Sequence, residues 1–150
     1  MDRVLLTIAL VAVAVTVAVV LRRRKPDAPT QSAWTVPAQL DRRDFDRPDA
    51  DWLVAVFTSA TCETCATVKD KVALLESAAV AVQDAEAVAD KALHDRYGID
   101  AVPTLVIADR EGVVAASFVG PVSAADLWAT MADLREPGSV PPGCDHGQPA

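Results

Sequence analysis

The hydrophobic and polar positions of this chain fall into three unlike stretches. Val4 to Leu21 is a run of 18 residues without a charge, interrupted only by Thr7 and Thr16. A helix over that run reaches about 27 Å, enough for the hydrocarbon core of a bilayer. A core helix of a soluble domain would carry a polar face, and this run has none. A cleaved signal peptide needs positive charge in front and a small-residue cleavage site behind, whereas here Arg22-Arg23-Arg24-Lys25 follow at once. The pattern predicts an uncleaved transmembrane anchor with a basic flank over residues 1–25. Residues 26–38 hold Pro26, Pro29 and Pro37 among small polar residues and read as a semi-extended linker. At the other end, Pro137-Gly138 and Pro141-Pro142-Gly143 predict a flexible tail over 137–150.

Between them, residues 39–136 carry the periodicities of a folded domain. Leu53 to Phe57 is a short apolar run suited to a buried strand, and Val68, Val72 and Leu75 recur at helical spacing. Val80 to Val82 predicts a second strand, followed by a helix with Val88, Ala92 and Leu93 on one face. Thr104 to Ala108 and Val113 to Val119 form two strands around Asp109-Arg110-Glu111-Gly112, a polar turn that suits an antiparallel hairpin. Ser123 with Asp126 has the form of a capping box, and Leu127, Met131 and Leu134 form the apolar face of the helix behind it. The order β-α-β-α-β-β-α implies an α/β fold. It has a mixed sheet of four to five strands, parallel pairing at the crossovers, an antiparallel hairpin at one edge and helices on both faces. Phe45 is expected to open the folded unit.

Charge narrows the partners. Beyond residue 25 the chain carries 9 Lys plus Arg against 20 Asp plus Glu, a net of −11. That balance argues against nucleic acid and against a second contact with an anionic membrane surface, and favours proteins or small thiols. Four basic residues follow the apolar run while Arg3 and Asp2 precede it, so the positive-inside rule places the domain on the cytoplasmic side, with an extracytoplasmic face as the alternative. The run Asp41 to Asp51 has the ordinary meaning of a solvated surface. Trp52 and Trp128 are expected to pack against the domain, and Trp34 sits in the linker.

The chemistry concentrates at Cys62 and Cys65, a C-x-x-C directly after the first strand. If a helix starts at Cys62, both sulfurs lie on one turn within reach of a disulfide. The helix start supplies unpaired N–H groups that stabilise a thiolate, so Cys62 is the natural nucleophile. A purely structural pair remains the bland alternative. Cys144 lies in Pro142-Gly143-Cys144-Asp145-His146 and is read as an idle thiol, an additional resolving cysteine or a metal ligand. Cys62, Cys65, Cys144 and His146 together would make a soft zinc set, which suits a non-catalytic binding module. His94 is expected on the solvated face of its helix.

From Phe45 to about Glu136 the chain resembles a thioredoxin domain, and the anchor would make it a membrane-tethered member of that family. The resemblance rests on Cys62-Glu63-Thr64-Cys65 after a strand, and on Tyr97-Gly98-Ile99-Asp100-Ala101-Val102-Pro103-Thr104-Leu105. Gly112 and Val119-Gly120 extend the match. It implies a cis bond at Val102-Pro103 and a substrate cradle of Thr61, Val102, Pro103, Thr104 and Gly120. In it, Cys62 attacks and Cys65 resolves. It also implies thiol-disulfide exchange with protein disulfides or dithiols, with electrons from a reductase or thiol and no cofactor. Two departures matter. Glu63 sets a negative charge beside the thiolate, which favours a less acidic and more reducing thiol. Val56 occupies the place of the family's buried acid, which implies slower resolution.

Overall fold

The computed structural model describes residues 34–139. The apolar run at 4–21, its basic flank, most of the linker, Cys144 and His146 lie outside them. Among the described residues no helix is long and apolar enough to cross a membrane.

Strand β1 (Trp52–Thr58) is the spine of the domain. Leu53 to Thr58 are all buried, and alternation divides them between two layers. Leu53, Ala55 and Phe57 join Leu40, Phe45, Tyr97 and Val106 on one side of the sheet. Val54 and Val56 join Val68, Val72, Leu105, Ile107, Leu127 and Met131 on the other. Each fully buried Val, Leu or Phe contributes about 1.5–3 kcal/mol, so a strand buried on both faces is a major source of stability.

The sheet order is β2-β1-β3-β4, with β2 at Val80–Glu86, β3 at Thr104–Ala108 and β4 at Val114–Val119. Strands β1 and β2 are parallel, while β1 with β3 and β3 with β4 are antiparallel. Helices α1 (Glu63–Ala73) and α3 (Ala124–Arg135) supply residues to the Val54 and Val56 layer, and α2 (Lys91–Tyr97) to the other. The expected element order and two-faced sheet are thus observed. Ser123 caps α3, its Oγ accepting from Asp126 N at 3.0 Å and donating to Asp126 Oδ2 at 2.6 Å.

Several expectations need correction. The second crossover does not join parallel strands. Helix α2 has only seven residues, about 10 Å of rise. It cannot carry the chain back along β2, so β3 starts at the end where β2 finished and runs the opposite way. Strand β2 also extends four residues past Val82, because an edge strand tolerates Gln83, Asp84 and Glu86 on its wet margin. Val88 lies in the turn before α2 and is 81 % exposed, rather than on a helical apolar face. Trp128 is half exposed on α3, while Trp52 packs partly into the core.

The charged run near Asp41 is not merely a solvated surface. Arg42 is buried, donating to Asp109 O at 2.6 Å and to Ala50 O at 3.1 Å, and burial lowers its pKa. Tyr97 donates from its hydroxyl to Asp44 Oδ2 at 2.5 Å and accepts from Asp41 N at 2.9 Å. Burial, assisted by Asp44, pushes its phenol up to about 12. Hydrogen bonds from the Arg43 side chain and backbone hold the Asp41 carboxyl well below the usual range. His94 is likewise buried, edge-on to Phe57 at 5.2 Å, with Nε2 donating to Ala85 O at 2.9 Å.

The contacts of the folded unit begin well ahead of Phe45, with Val36 packed on the core. Gln39 bridges to Val113, Leu40 N donates to Gly112 O at 2.8 Å, and Val114 N donates to Ala38 O at 3.0 Å. Gly112 has φ +82, and a Cβ there would stand 2.0 Å from Leu40 O. Gly98 has φ +62 but open space around it. The two glycines therefore separate backbone strain from collision. Gly98→Ala is expected to cost about 1–2 kcal/mol, the left-handed penalty alone. Gly112→Ala must also displace backbone, and is expected to cost about 3 kcal/mol or more. Urea denaturation of both variants measures the difference, and equal losses would contradict it.

Candidate redox site

The carboxyl end of β1 leads through Ser59, Ala60 and Thr61 to Cys62, the N-cap of α1. Cys62 has extended backbone, and its own N–H donates to Ser59 O at 3.0 Å, closing a turn that aims the residue over the helix start. Cys65, one turn later, faces the sheet and is 3 % exposed, whereas Cys62 is half-buried. The two are joined in a disulfide, with Cα atoms 5.4 Å apart. The outer sulfur can therefore meet a partner while the inner one is screened from solvent. Thr64 Oγ1 lies 3.6 Å from Cys62 Sγ. Glu63 occupies the first turn and is exposed.

The Val102–Pro103 peptide bond is cis. Phe57 pairs with Thr104, so Pro103 falls level with Thr58, where β1 turns toward the cysteines. Pro103 is buried, its carbonyl accepting from Gly120 N at 2.8 Å, and Thr104 Oγ1 donates to Ala101 O at 2.9 Å. Gly120 has φ +91, which suits a residue without a Cβ. Val102 is half-buried, and among the described residues its N–H and C=O have no intramolecular backbone partner. Thr61 is exposed, its N–H and hydroxyl both turned to Ser59 Oγ, at 3.4 and 3.1 Å. The sheet thus gathers Cys62, Cys65, Val102, Pro103 and Thr104 at one end of adjacent strands. Gly120 joins them through the carbonyl of Pro103.

Sequence reasoning did not single out the polar wall beside the pair. A cleft of about 270 Å³ borders Cys62 and Cys65 and includes Thr58, Lys69 and Glu86. Glu86 Oε1 accepts from Ala60 N at 3.0 Å, and Oε2 from Val88 N and Ala89 N at 2.8 and 2.9 Å. Those N–H groups hold its carboxyl below the usual range. Its work is to tie the loop before Cys62 to the turn after β2. The signal was available, since Val80, Val82, Asp84 and Glu86 share one face of a period-two strand.

Because Glu86 is held below its ordinary pKa, its stabilisation is complete above the usual carboxylate range and is lost as pH falls through the lowered value. Glu86→Gln is expected to lower the thermal midpoint by a few degrees at pH 7. The gap to the parent should narrow below about pH 4. Calorimetry across pH 3–7 measures this, and a constant gap would contradict it.

A thioredoxin-like domain model matches residues 47–135. The structure is similar to a mutant thioredoxin from Halobacterium salinarum, with TM-score 0.56 and 26 % identity, over 71 % of this chain and 93 % of that one. It is also similar to mitochondrial thioredoxin 3 from Saccharomyces cerevisiae in its oxidized form. There the TM-score is 0.48 and the identity 19 %, over 57 % of this chain and 81 % of that one. No curated protein matches the sequence. With a C-x-x-C at the helix start, a cis-proline level with the end of β1 that leads to it, and the family match spanning more than half of its residues, the chain belongs to the thioredoxin-like family.

Proposed function

We propose that this protein is a membrane-tethered thiol-disulfide oxidoreductase that exchanges disulfides with protein or small-thiol partners. The observation that carries the reading is the asymmetric pair at the start of α1, with Cys62 accessible and Cys65 buried behind it.

In the reducing direction, the Cys62 thiolate attacks a partner disulfide. One partner sulfur leaves as a thiolate and a mixed disulfide forms. Cys65 then attacks Cys62, releasing the second partner sulfur and closing the internal bond, and two electrons have passed to the partner. An electron-donating thiol or reductase reopens the pair. The reverse sequence oxidises a dithiol. Helix N–H groups favour the thiolate at Cys62, and the nearby Glu63 carboxylate opposes them, so the reading assigns a comparatively reducing pair. The unpaired backbone of Val102 suits an extended partner segment laid beside Pro103, with Thr61, Thr104 and Gly120 framing it.

Tethering is proposed from the uncharged run at 4–21, and a cytoplasmic domain from the four basic residues after it. A cytoplasmic location would keep the pair reduced in the resting state.

Reduction of a model protein disulfide such as insulin, supported by dithiothreitol, is expected for the parent and abolished in Cys62→Ser. Unchanged turnover in that variant would sink the enzymatic reading. For topology, a membrane-impermeant maleimide added to intact cells is expected to label Cys144 only after lysis. Labelling without lysis would overturn the cytoplasmic placement.

A further inference from the structure

During resolution the Cys65 thiol must lose its proton in a buried position. Val56, buried on the face of β1 that α1 covers, has no group to take that proton. Val56 is paired in register with Asp84 of β2, and paired residues of parallel strands face the same side of the sheet. Asp84 therefore points toward the layer that holds α1. Its Oδ1 accepts from Thr58 Oγ1 at 2.6 Å, and its Oδ2 meets Lys69 Nζ at 2.5 Å. Thr58 is two residues beyond Val56 on the same face. Lys69 is one helical turn beyond Cys65. Both border the cleft that Cys62 and Cys65 share.

We propose that Asp84 is the proton-accepting residue for Cys65, reached from the neighbouring strand through the cleft. This rests on the oxidoreductase reading above. Cys65 Sγ gives up its proton as it attacks Cys62 Sγ. The Cys62–Cys65 bond forms, the bond from Cys62 to the partner sulfur breaks, and that sulfur leaves as a thiolate. The proton passes through water in the cleft to the Thr58 hydroxyl, whose own proton moves to Asp84 Oδ1, and from Asp84 it is lost to solvent. Thr58 and Lys69 fix the carboxylate, so it acts on Cys65 without touching it. The ionisable groups that line the cleft itself are Lys69, Asp70 and Glu86, and Asp84 stands behind Thr58 and Lys69. Asp70 is exposed, and Glu86 is bound by three backbone N–H groups that make it a poor base.

Stopped-flow reaction of the reduced full-length chain, carrying Cys144→Ser, with 5,5′-dithiobis(2-nitrobenzoate) separates the two steps. The first equivalent of released thiolate reports attack by Cys62. The second reports resolution by Cys65. Asp84→Asn is expected to slow the second phase by about tenfold or more, leave the first unchanged and flatten the pH dependence of the second. Asp84→Glu should recover most of the rate. In Asp84→Ser, added formate should accelerate the second phase alone. Thr58→Val, which frees Oδ1 without removing the carboxylate, should slow the second phase by about threefold, and provides the reading if the Asp84 variants do not fold. An unchanged second phase, or equal slowing of both phases, would overturn the role of Asp84 while leaving the exchange chemistry intact. Absence of the first phase in the parent chain would instead overturn the oxidoreductase reading, and this proposal with it.

Discussion

The constraint on which the rest of the structure depends is the double burial of β1. A strand with apolar side chains on both faces and partners along both edges must sit at the centre of its sheet, and every other element is then placed by what it covers. Helices α1 and α3 close the Val54 and Val56 layer, while α2 and the segment from Leu40 to Phe45 close the layer of Leu53, Ala55 and Phe57. The two cysteines inherit their rigidity from this arrangement. They stand only a short loop beyond the most firmly packed strand of the domain.

The contrast between the two edges of β1 explains the character of the site. Toward β3 the chain presents a fixed backbone shelf ending in Val102–Pro103, with few side-chain charges. Toward β2 it presents a wall of Thr58, Asp84, Lys69 and Glu86, cross-linked by short polar contacts. In the proposed reaction one side seats an extended polypeptide, and the other handles protons and holds the loop. Asp84 stands opposite Val56 in the parallel register, so the acid occupies the half-buried edge strand and the apolar residue the buried central one.

Much of this was legible in the sequence, for identifiable reasons. Strand β1 and the Thr104–Ala108 strand announced themselves because uninterrupted apolar runs have few other uses in a small domain. The Ser123 cap was legible because its chemistry is local. What escaped were residues whose roles depend on distant partners. Arg42 looked like one more charge in a solvated run, and only the Asp109 and Ala50 carbonyls, brought close by the fold, make it a buried tie. His94 looked like a surface residue because a seven-residue helix gives too little periodicity to mark its buried face. Asp84 and Glu86 ended the apolar stretch of β2 and so appeared to end the strand, although the period of two continued through them.

The bridge from Gln39 to Val113 gives the domain a polarity. Val113 precedes β4 at the end of the sheet where β1 begins, whereas Cys62 follows the end where β1 finishes. Seven residues of extended strand separate these poles by about 23 Å. The chain therefore enters the domain at its blunt base and presents the sulfurs at the far tip. The length of the sheet therefore lies between that bridge and Cys62.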